Sequence, residues 1–143
     1  MPWEVKFDDL FEPEFDQLAE SVQDEILARA QVLEQFGPQL GRPNVDTLNA
    51  SKHANMKELR FNCDDGKWRI AFAFDPKRTA VLLVAGDKVG ADQQRFYEQL
   101  ISTADAHLAK LKQEQAKLKS GKAKQGKGKQ GKGKQGKGKQ GRR

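Results

Sequence analysis

An α+β fold is predicted by three features of this 143-residue sequence. Apolar residues recur at helical spacing over residues 8–36, alternate with polar residues from Met56 onward, and return to helical spacing after Asp92. A short alternating run, Trp3 to Phe7, precedes them. The predicted order is a short N-terminal strand, a helical hairpin, a three-stranded antiparallel sheet, a C-terminal helix and a disordered tail.

The predicted helical hairpin has recognisable ends. Asp8 or Asp9 can cap the first helix, and Ser21 can cap the second. Gly37 and Pro38 stop the second helix, because glycine suits a helix end and proline cannot continue one. Residues 37–55 are polar and rich in turn formers, so we expect a long loop there.

The register of the first sheet hairpin follows from side-chain alternation. If residues 63–66 form the loop, Arg60 faces Arg69 and Leu59 faces Ile70. One face is then apolar and aromatic, and we expect it to be core covered by the N-terminal or C-terminal helices. The other face carries Glu58 and both arginines.

Charge separates a body from a tail. Ten of the 26 Lys and Arg lie in residues 120–143, which contain no acid, so residues 1–119 carry 16 basic against all 20 acidic residues and a net charge of −4. The tail repeats Lys, Gln and Gly and has no apolar group to bury. We therefore expect a domain at 1–119 and a disordered tail at 120–143, which either binds polyanions or is a solubilising extension.

Composition also narrows the compartment and the chemistry. The single cysteine, Cys63, excludes an internal disulfide and fits a reducing compartment. No run is long enough to span a membrane, and the acidic start is unlike a secretory signal. Two separated histidines and one cysteine do not suggest a metal site. We expect a cytoplasmic protein with no metal, no cofactor and no membrane partner.

The facing arginines have two interpretations. Like charges opposed on one rung repel, and a phosphate between them would relieve the cost, since forked guanidinium groups match phosphate oxygens. The structural alternative is that Arg60 and Arg69 lie on a solvated face and pair with Glu58 or Asp87. A phosphate clamp therefore requires both arginines on one side of the sheet without neutralisation by internal carboxylates.

The sequence resembles the phage-derived, HigB-like branch of the RelE/HigB toxin superfamily. The resemblance covers about residues 1–112. It rests on Met56-Lys57-Glu58-Leu59-Arg60-Phe61, the run from Trp68 to Asp75, the run from Val84 to Lys88, and Arg95-Phe96-Tyr97. It implies a RelE-like fold and a toxin of a type II toxin–antitoxin system.

The resemblance also implies an activity and partners. Such toxins are mRNA interferases, metal-independent endoribonucleases that cleave ribosome-bound message by 2′-hydroxyl attack on the adjacent phosphorus. The implied partners are mRNA, the ribosome and a cognate helix-turn-helix antitoxin. Cleavage of this kind needs a base, cations around the phosphorane and an acid for the leaving 5′-oxygen.

The resemblance assigns candidate residues. We expect His53 or Glu58 as base, with Glu58 standing where RelE itself has a lysine, and Tyr97 as acid or stacking partner. The phosphate clamps are expected to be Arg60, Arg69 and Lys88. A second set is expected to bind RNA: Lys52, Lys57, Arg78 and Arg95. The structural alternatives are that His53 is a solvated loop residue and that Tyr97 serves only in the packing of its helix.

Two rival functions stay open at this point. One is a catalytically inactive RelE-fold module that binds RNA or an antitoxin, favoured by the acid at Glu58. The other is a ParE-like inhibitor of DNA gyrase, which the retained basic positions disfavour.

Overall fold

The computed structural model of the protein describes residues 3–124 in backbone and residues 3–118 in side chain. Five strands and three helices make up the described fold. In chain order they are β1 (Glu4–Phe7), α1 (Glu12–Gln17), α2 (Glu20–Phe36), β2 (Val45–Thr47), β3 (Met56–Cys63), β4 (Gly66–Asp75), β5 (Thr79–Asp87) and α3 (Gln93–Lys124). The α+β class is confirmed.

The sheet is larger than predicted. Its order is β1-β5-β4-β3-β2, and β1 runs parallel to β5 while the other pairs are antiparallel. The expected three-stranded antiparallel sheet is thus a five-stranded mixed sheet. The loop expected at 37–55 contains a 3-10 turn at Gly37–Gln39 and the edge strand β2, whose three residues are too few to display an alternating pattern.

The β3–β4 hairpin has the predicted register. Arg60 pairs with Arg69 and Leu59 with Ile70. The loop is shorter than assumed, because Cys63 pairs with Gly66 and leaves two loop residues, Asp64 and Asp65. Both have positive φ, 51° and 67°, as two-residue hairpin turns require. Shortening the loop by one residue on each strand leaves the register unchanged.

The helix starts differ from those predicted. Helix α1 begins at Glu12, and the carbonyl of Asp8 accepts the backbone N–H groups of Phe11 and Glu12. Ser21 does not cap α2, because the helix already begins at Glu20 and the Ser21 hydroxyl donates to Asp64 in the β3–β4 turn. Tertiary hydrogen bonding thus replaces the local cap.

The two faces of the sheet have separate covers. The aromatic face is core, and α1 and α2 cover it, since Phe15, Ile26 and Leu33 belong to the same buried cluster as Leu59 and Phe72. On the other face α3 approaches the sheet, where Tyr97 reaches Glu58. This division leaves the charged face to interact with a single helix.

The chain divides between Leu108 and Ala109 into two units, and the first contains the sheet. Helix α3 continues to Lys124, beyond the position at which the tail was predicted to begin. The rest of that predicted tail, residues 125–143, lies outside the described residues. Within residues 3–124, no helix has the length and apolar character needed to cross a bilayer.

Gly86 permits the close approach of α3 to the sheet. A Cβ atom built there would lie 2.9 Å from the Phe96 ring. We expect Gly86→Ala to lower the free energy of unfolding by about 1–3 kcal/mol, because the ring and its helix have to shift. Urea denaturation measures this. Gly41→Ala is the control, since nothing lies within 4 Å of its Cβ position; equal midpoints for the two variants would contradict the packing argument.

Candidate active site

A buried carboxylate lies at the centre of the charged face. Glu58, in β3, is 4% exposed, and its Oε1 accepts a hydrogen bond from the Tyr97 hydroxyl at 2.9 Å. Two guanidinium groups flank it: Arg69 Nε is 3.9 Å from Oε1, and Arg60 Nε is 3.9 Å from Oε2. Glu58 therefore lies within ion-pairing distance of both arginines.

Arg69 lies behind Tyr97. It is 6% exposed, its Nε donates to the Tyr97 hydroxyl at 3.2 Å, and its Nη1 donates to the Trp68 carbonyl at 2.9 Å. A chain of donors thus runs from Arg69 through Tyr97 to Glu58. This corresponds to the alternative in which Glu58 is the counter-ion of the arginines, although Arg69 is buried rather than solvated.

An open cleft of about 340 Å³ lies over Glu58. The residues that line it belong to β2, to the β2–β3 segment (residues 48–55), to β3, to the loop after β5 and to α3. Its lining is Asp46, Thr47, Leu48, Asn49, Ala50, Glu58, Arg60, Lys88, Gln93, Tyr97 and Ile101. Arg69 is not among these residues, so a ligand in the cleft would meet Arg60 and Lys88 as cations.

Arg60 has unused hydrogen-bonding capacity. Its Nε atom is buried and has no hydrogen-bond partner, and its Nη1 is 3.9 Å from Asp46 Oδ2. Asp46 is already bonded to Arg42 at 2.9 Å. The Arg60 side chain as a whole is 29% exposed, so its outer guanidinium N–H groups, rather than the buried Nε, are the donors that an anion in the cleft can reach.

Lys88 is fixed by the ends of two strands. Its backbone N–H donates to the Lys67 carbonyl at 2.9 Å, and Asp87 Oδ1 accepts from the backbone of Lys67 and Val89. The Lys88 ammonium donates to Gln93 Oε1 at 3.2 Å and lies 5.8 Å from the Tyr97 ring centroid. Asp87, the other expected partner of the arginines, thus bonds to the backbone of this turn instead.

Burial and charge shift three pKa values in this cluster. Desolvation raises the pKa of Glu58, against the lowering effects of the Tyr97 hydrogen bond, Arg69 and Arg60. Desolvation and then the bond to Glu58 raise the pKa of Tyr97. Desolvation, followed by repulsion from Arg69, Lys67 and Arg60, lowers the pKa of Lys88. Shifts of this kind are frequent at functional sites.

The structure does not bring every predicted residue to the cleft. His53 is half-buried in the β2–β3 segment and does not line the cleft; its backbone N–H donates to Ser51 Oγ. Lys57 alternates away from Glu58 and donates to Thr47 Oγ1 at 3.0 Å. Arg78 lies in the β4–β5 turn, at the opposite end of β5 from Lys88, over the Trp3 ring.

The two remaining RNA-binding candidates are exposed but lie outside the cleft lining. Lys52 follows Ser51 in the β2–β3 segment, and Arg95 lies in the first turn of α3. Sequence reasoning missed Asp46, Asn49 and Gln93, which do line the cleft. No local pattern marks them, since each is a polar residue in a turn-rich or helix-start segment.

The fold belongs to the RelE class. A mutant of the Escherichia coli toxin RelE in the free state matches with a TM-score of 0.53 and 11% identity, over 71% of this chain and 96% of that one. At this level of identity the likeness shows the fold alone.

The sequence relatives identify the family. Residues 13–109 match the family described as phage-derived protein Gp49-like (DUF891), and the chain belongs to this family. The candidate toxin HigB2 of Mycobacterium tuberculosis is 44% identical over 97 residues, which are 64% of this chain and 48% of that protein. The candidate toxin HigB3 of the same organism is 51% identical over 74 residues, 52% of this chain and 62% of that protein. The chain thus spans about half to three fifths of these relatives.

Proposed function

We propose that this protein is the toxin of a type II toxin–antitoxin pair and cleaves mRNA on the ribosome without a metal. The observation that carries the proposal is a buried carboxylate with a raised pKa, Glu58, beneath a cleft lined by Arg60 and Lys88. A base next to two cations is the arrangement that RNA transesterification needs. The names of the two mycobacterial relatives support the toxin role.

Glu58 takes the proton from the 2′-hydroxyl. The resulting oxygen attacks the adjacent phosphorus, and the 2′-O–P bond forms while the P–O5′ bond breaks. The raised pKa makes this carboxylate a stronger base than an exposed one, because less driving force is lost in taking the proton. Arg60, which lines the cleft and is partly exposed, donates from its outer guanidinium N–H groups to a phosphoryl oxygen as charge accumulates there.

Lys88 completes the proton balance. Its lowered pKa makes the ammonium a better acid, and it gives a proton to the leaving 5′-oxygen. The products are a 2′,3′-cyclic phosphate and a 5′-hydroxyl end, and water can open the cyclic ester to a 3′-phosphate. Solvent returns the proton to Lys88 and removes one from Glu58.

Tyr97 and Arg69 act on Glu58 rather than on phosphate. The Tyr97 hydroxyl donates to the carboxylate and accepts from Arg69, so both side chains orient the base. The raised pKa of Tyr97 keeps its proton in place at neutral pH. The expected roles of Tyr97 as acid and of Arg69 as clamp are therefore replaced, in this proposal, by positioning.

The partners follow from the toxin role. We propose that mRNA enters the cleft while bound to the ribosome, and that a helix-turn-helix antitoxin encoded beside the toxin neutralises it. The direct experiment is to add the purified protein to a translating extract and map mRNA 5′ ends. New ends that carry a 5′-hydroxyl are expected; intact message at all doses would overturn the nuclease assignment.

The pH dependence of cleavage tests the Tyr97 contact. The basic form of Glu58 is needed, so activity should fall as pH falls through its raised pKa. The Tyr97 hydrogen bond lowers that pKa, so Tyr97→Phe should move the acidic limb of the rate profile to higher pH and cost about tenfold at low pH. If the acidic limb of the plot of kcat against pH stays in place in Tyr97→Phe, either Glu58 is not the base or Tyr97 does not lower its pKa.

An inactive binding module remains the second candidate function. The observation in its favour is that Glu58 lies 3.9 Å from both arginines and offsets part of their charge. RNA that binds to the cleft, is released intact and yields no new ends in the translating extract would establish this alternative.

A further inference from the structure

We propose that Asp105 is a positioning residue that holds residues 48–53 against α3, and that this segment is a wall of the cleft that sets how tightly RNA binds. The inference rests on the proposed function for its consequence, but its contacts lie outside the catalytic cluster. Asp105 accepts hydrogen bonds from Ser51 and from the Lys52 backbone, which are separate from Glu58, Arg60 and Lys88.

Asp105 is a buried acid with both oxygens engaged. It lies on α3 two turns beyond Tyr97 and is 8% exposed. Its Oδ1 accepts from Ser51 Oγ at 2.5 Å, and its Oδ2 accepts from the Lys52 backbone N–H at 3.0 Å. Hydrogen bonds to an ionised carboxylate are stronger than neutral ones, so this contact suits a tether.

Other hydrogen bonds of this segment lie at its base and within the turn. At its base the Leu48 N–H donates to the Met56 carbonyl at 2.8 Å, and the Ser51 N–H donates to the Leu48 carbonyl at 3.2 Å. Ser51 Oγ also accepts from the His53 N–H at 3.0 Å. Residues 48–53 contain no helix or strand, and the two bonds to Asp105 join this turn to α3.

This segment faces the nucleotide cleft. Leu48, Asn49 and Ala50 line it, while Lys88 lines it from the loop after β5. Because β3 and β4 lie between β2 and β5, these two groups form opposite sides. Helix α3 carries Tyr97, which bonds to Glu58 at the base of the cleft, and Asp105, which bonds to residues 48–53 at its wall. One helix therefore positions both the catalytic carboxylate and the segment that limits the width of the cleft.

Asp105→Asn tests the tether with minimal change of shape. The amide oxygen can still accept from the Lys52 N–H and the amide nitrogen can donate to Ser51 Oγ, so both contacts keep their shape but lose the strength that the carboxylate charge gives them. We expect RNA affinity to fall about tenfold, because hydrogen bonds to a charged group are stronger than neutral ones, while kcat changes by less than about threefold. Affinity is measured with an oligonucleotide that carries a 2′-deoxy sugar at the cleavage position, and hydrogen exchange reports the Lys52 and His53 amides.

His107→Gln is the matched control. His107 is two residues further along α3, and its Nδ1 bonds to the Leu83 carbonyl at 2.9 Å, in β5 rather than in the segment. It should lower stability without changing RNA affinity or the exchange of Lys52 and His53. Ser51→Ala removes the other half of the contact and should act in the same direction, and it serves if Asp105→Asn does not fold.

The outcomes separate the tether from the function. Unchanged exchange in both Asp105→Asn and Ser51→Ala would overturn the tether. Released amides with unchanged RNA affinity would overturn the wall. A parent protein that neither binds nor cuts RNA would overturn the proposed function, and the exchange measurement alone would then decide whether Asp105 holds the segment.

Discussion

Glu58→Gln is expected to slow RNA cleavage by about 10³-fold, within the range that general base catalysis contributes. The amide keeps the shape and can accept the Tyr97 hydrogen bond, but it cannot take the 2′-hydroxyl proton. RNA binding should be retained or strengthened, because the charge that offsets Arg60 and Arg69 is removed. Single-turnover cleavage and binding of the 2′-deoxy oligonucleotide measure the two effects separately.

Asp46→Asn is the control for this charge effect. Asp46 also lies 3.9 Å from Arg60 and lines the cleft, but it does not lie at the end of the Arg69–Tyr97 chain. Tighter RNA binding with nearly unchanged cleavage is expected. If Glu58→Gln cleaved at the parent rate, the carboxylate would not be the base and the proposed chemistry would have to be abandoned.

Arg60→Ala is expected to reduce kcat/KM by about 10²–10³-fold, the usual cost of removing one preorganised donor from a developing oxyanion. Its side chain lines the cleft and is 29% exposed, so its outer guanidinium N–H groups can reach a phosphoryl oxygen of the substrate. Part of the loss should appear in kcat, because charge on the phosphoryl oxygens grows in the transition state. Steady-state kinetics on an RNA that is cleaved in the extract gives both constants.

Arg42→Ala gives the comparison for Arg60. Arg42 also bonds to Asp46, but its side chain is 72% exposed and it does not line the cleft. Its removal should change kcat/KM by less than about threefold, since exposed ion pairs are weak. If both variants lose kcat/KM equally, the loss reflects the reduced positive charge of the protein and not a phosphate contact of Arg60.

The register of the β3–β4 hairpin was predictable because side chains alternate strictly between the two faces of a strand. A strand turns every side chain over if the register slips by one residue, so the apolar set from Leu59 to Phe72 admits one pairing. That pairing predicts Arg60 opposite Arg69, and the structure has this pair. The loop length was less constrained, because shortening it symmetrically leaves the same residues opposite one another.

The depth of each side chain was not predictable in the same way. Arg60 lines the cleft while Arg69 is buried, because Tyr97 approaches from α3, 28 residues beyond Arg69 in the chain. The sequences of the two strands do not indicate that Tyr97 approaches Arg69. The same holds for Asp105 and Ser51, which are 54 residues apart. Contacts of this range depend on how α3 packs over Gly86, which is a property of the assembled fold.

The resemblance contributed what local patterns lacked. It connected the Arg60 and Arg69 strands with Lys88 and Tyr97, and the structure places Lys88, Tyr97 and Arg60 at one cleft. It did not supply the position of β1 beside β5, nor the edge strand β2. His53 was assigned from the resemblance and from its basic neighbours, and neither of these fixes the direction of a side chain in a turn.

The outer strands of the sheet bear on how the protein behaves at high concentration. β1 and β2 form the two margins and have only four and three residues. Glu4, Lys6 and Asp46 put charges on those margins. Short, charged margins offer little free backbone for another chain to pair with, so strand-by-strand growth into fibrils is disfavoured. Copies of this domain that meet in a crowded solution should therefore stay separate.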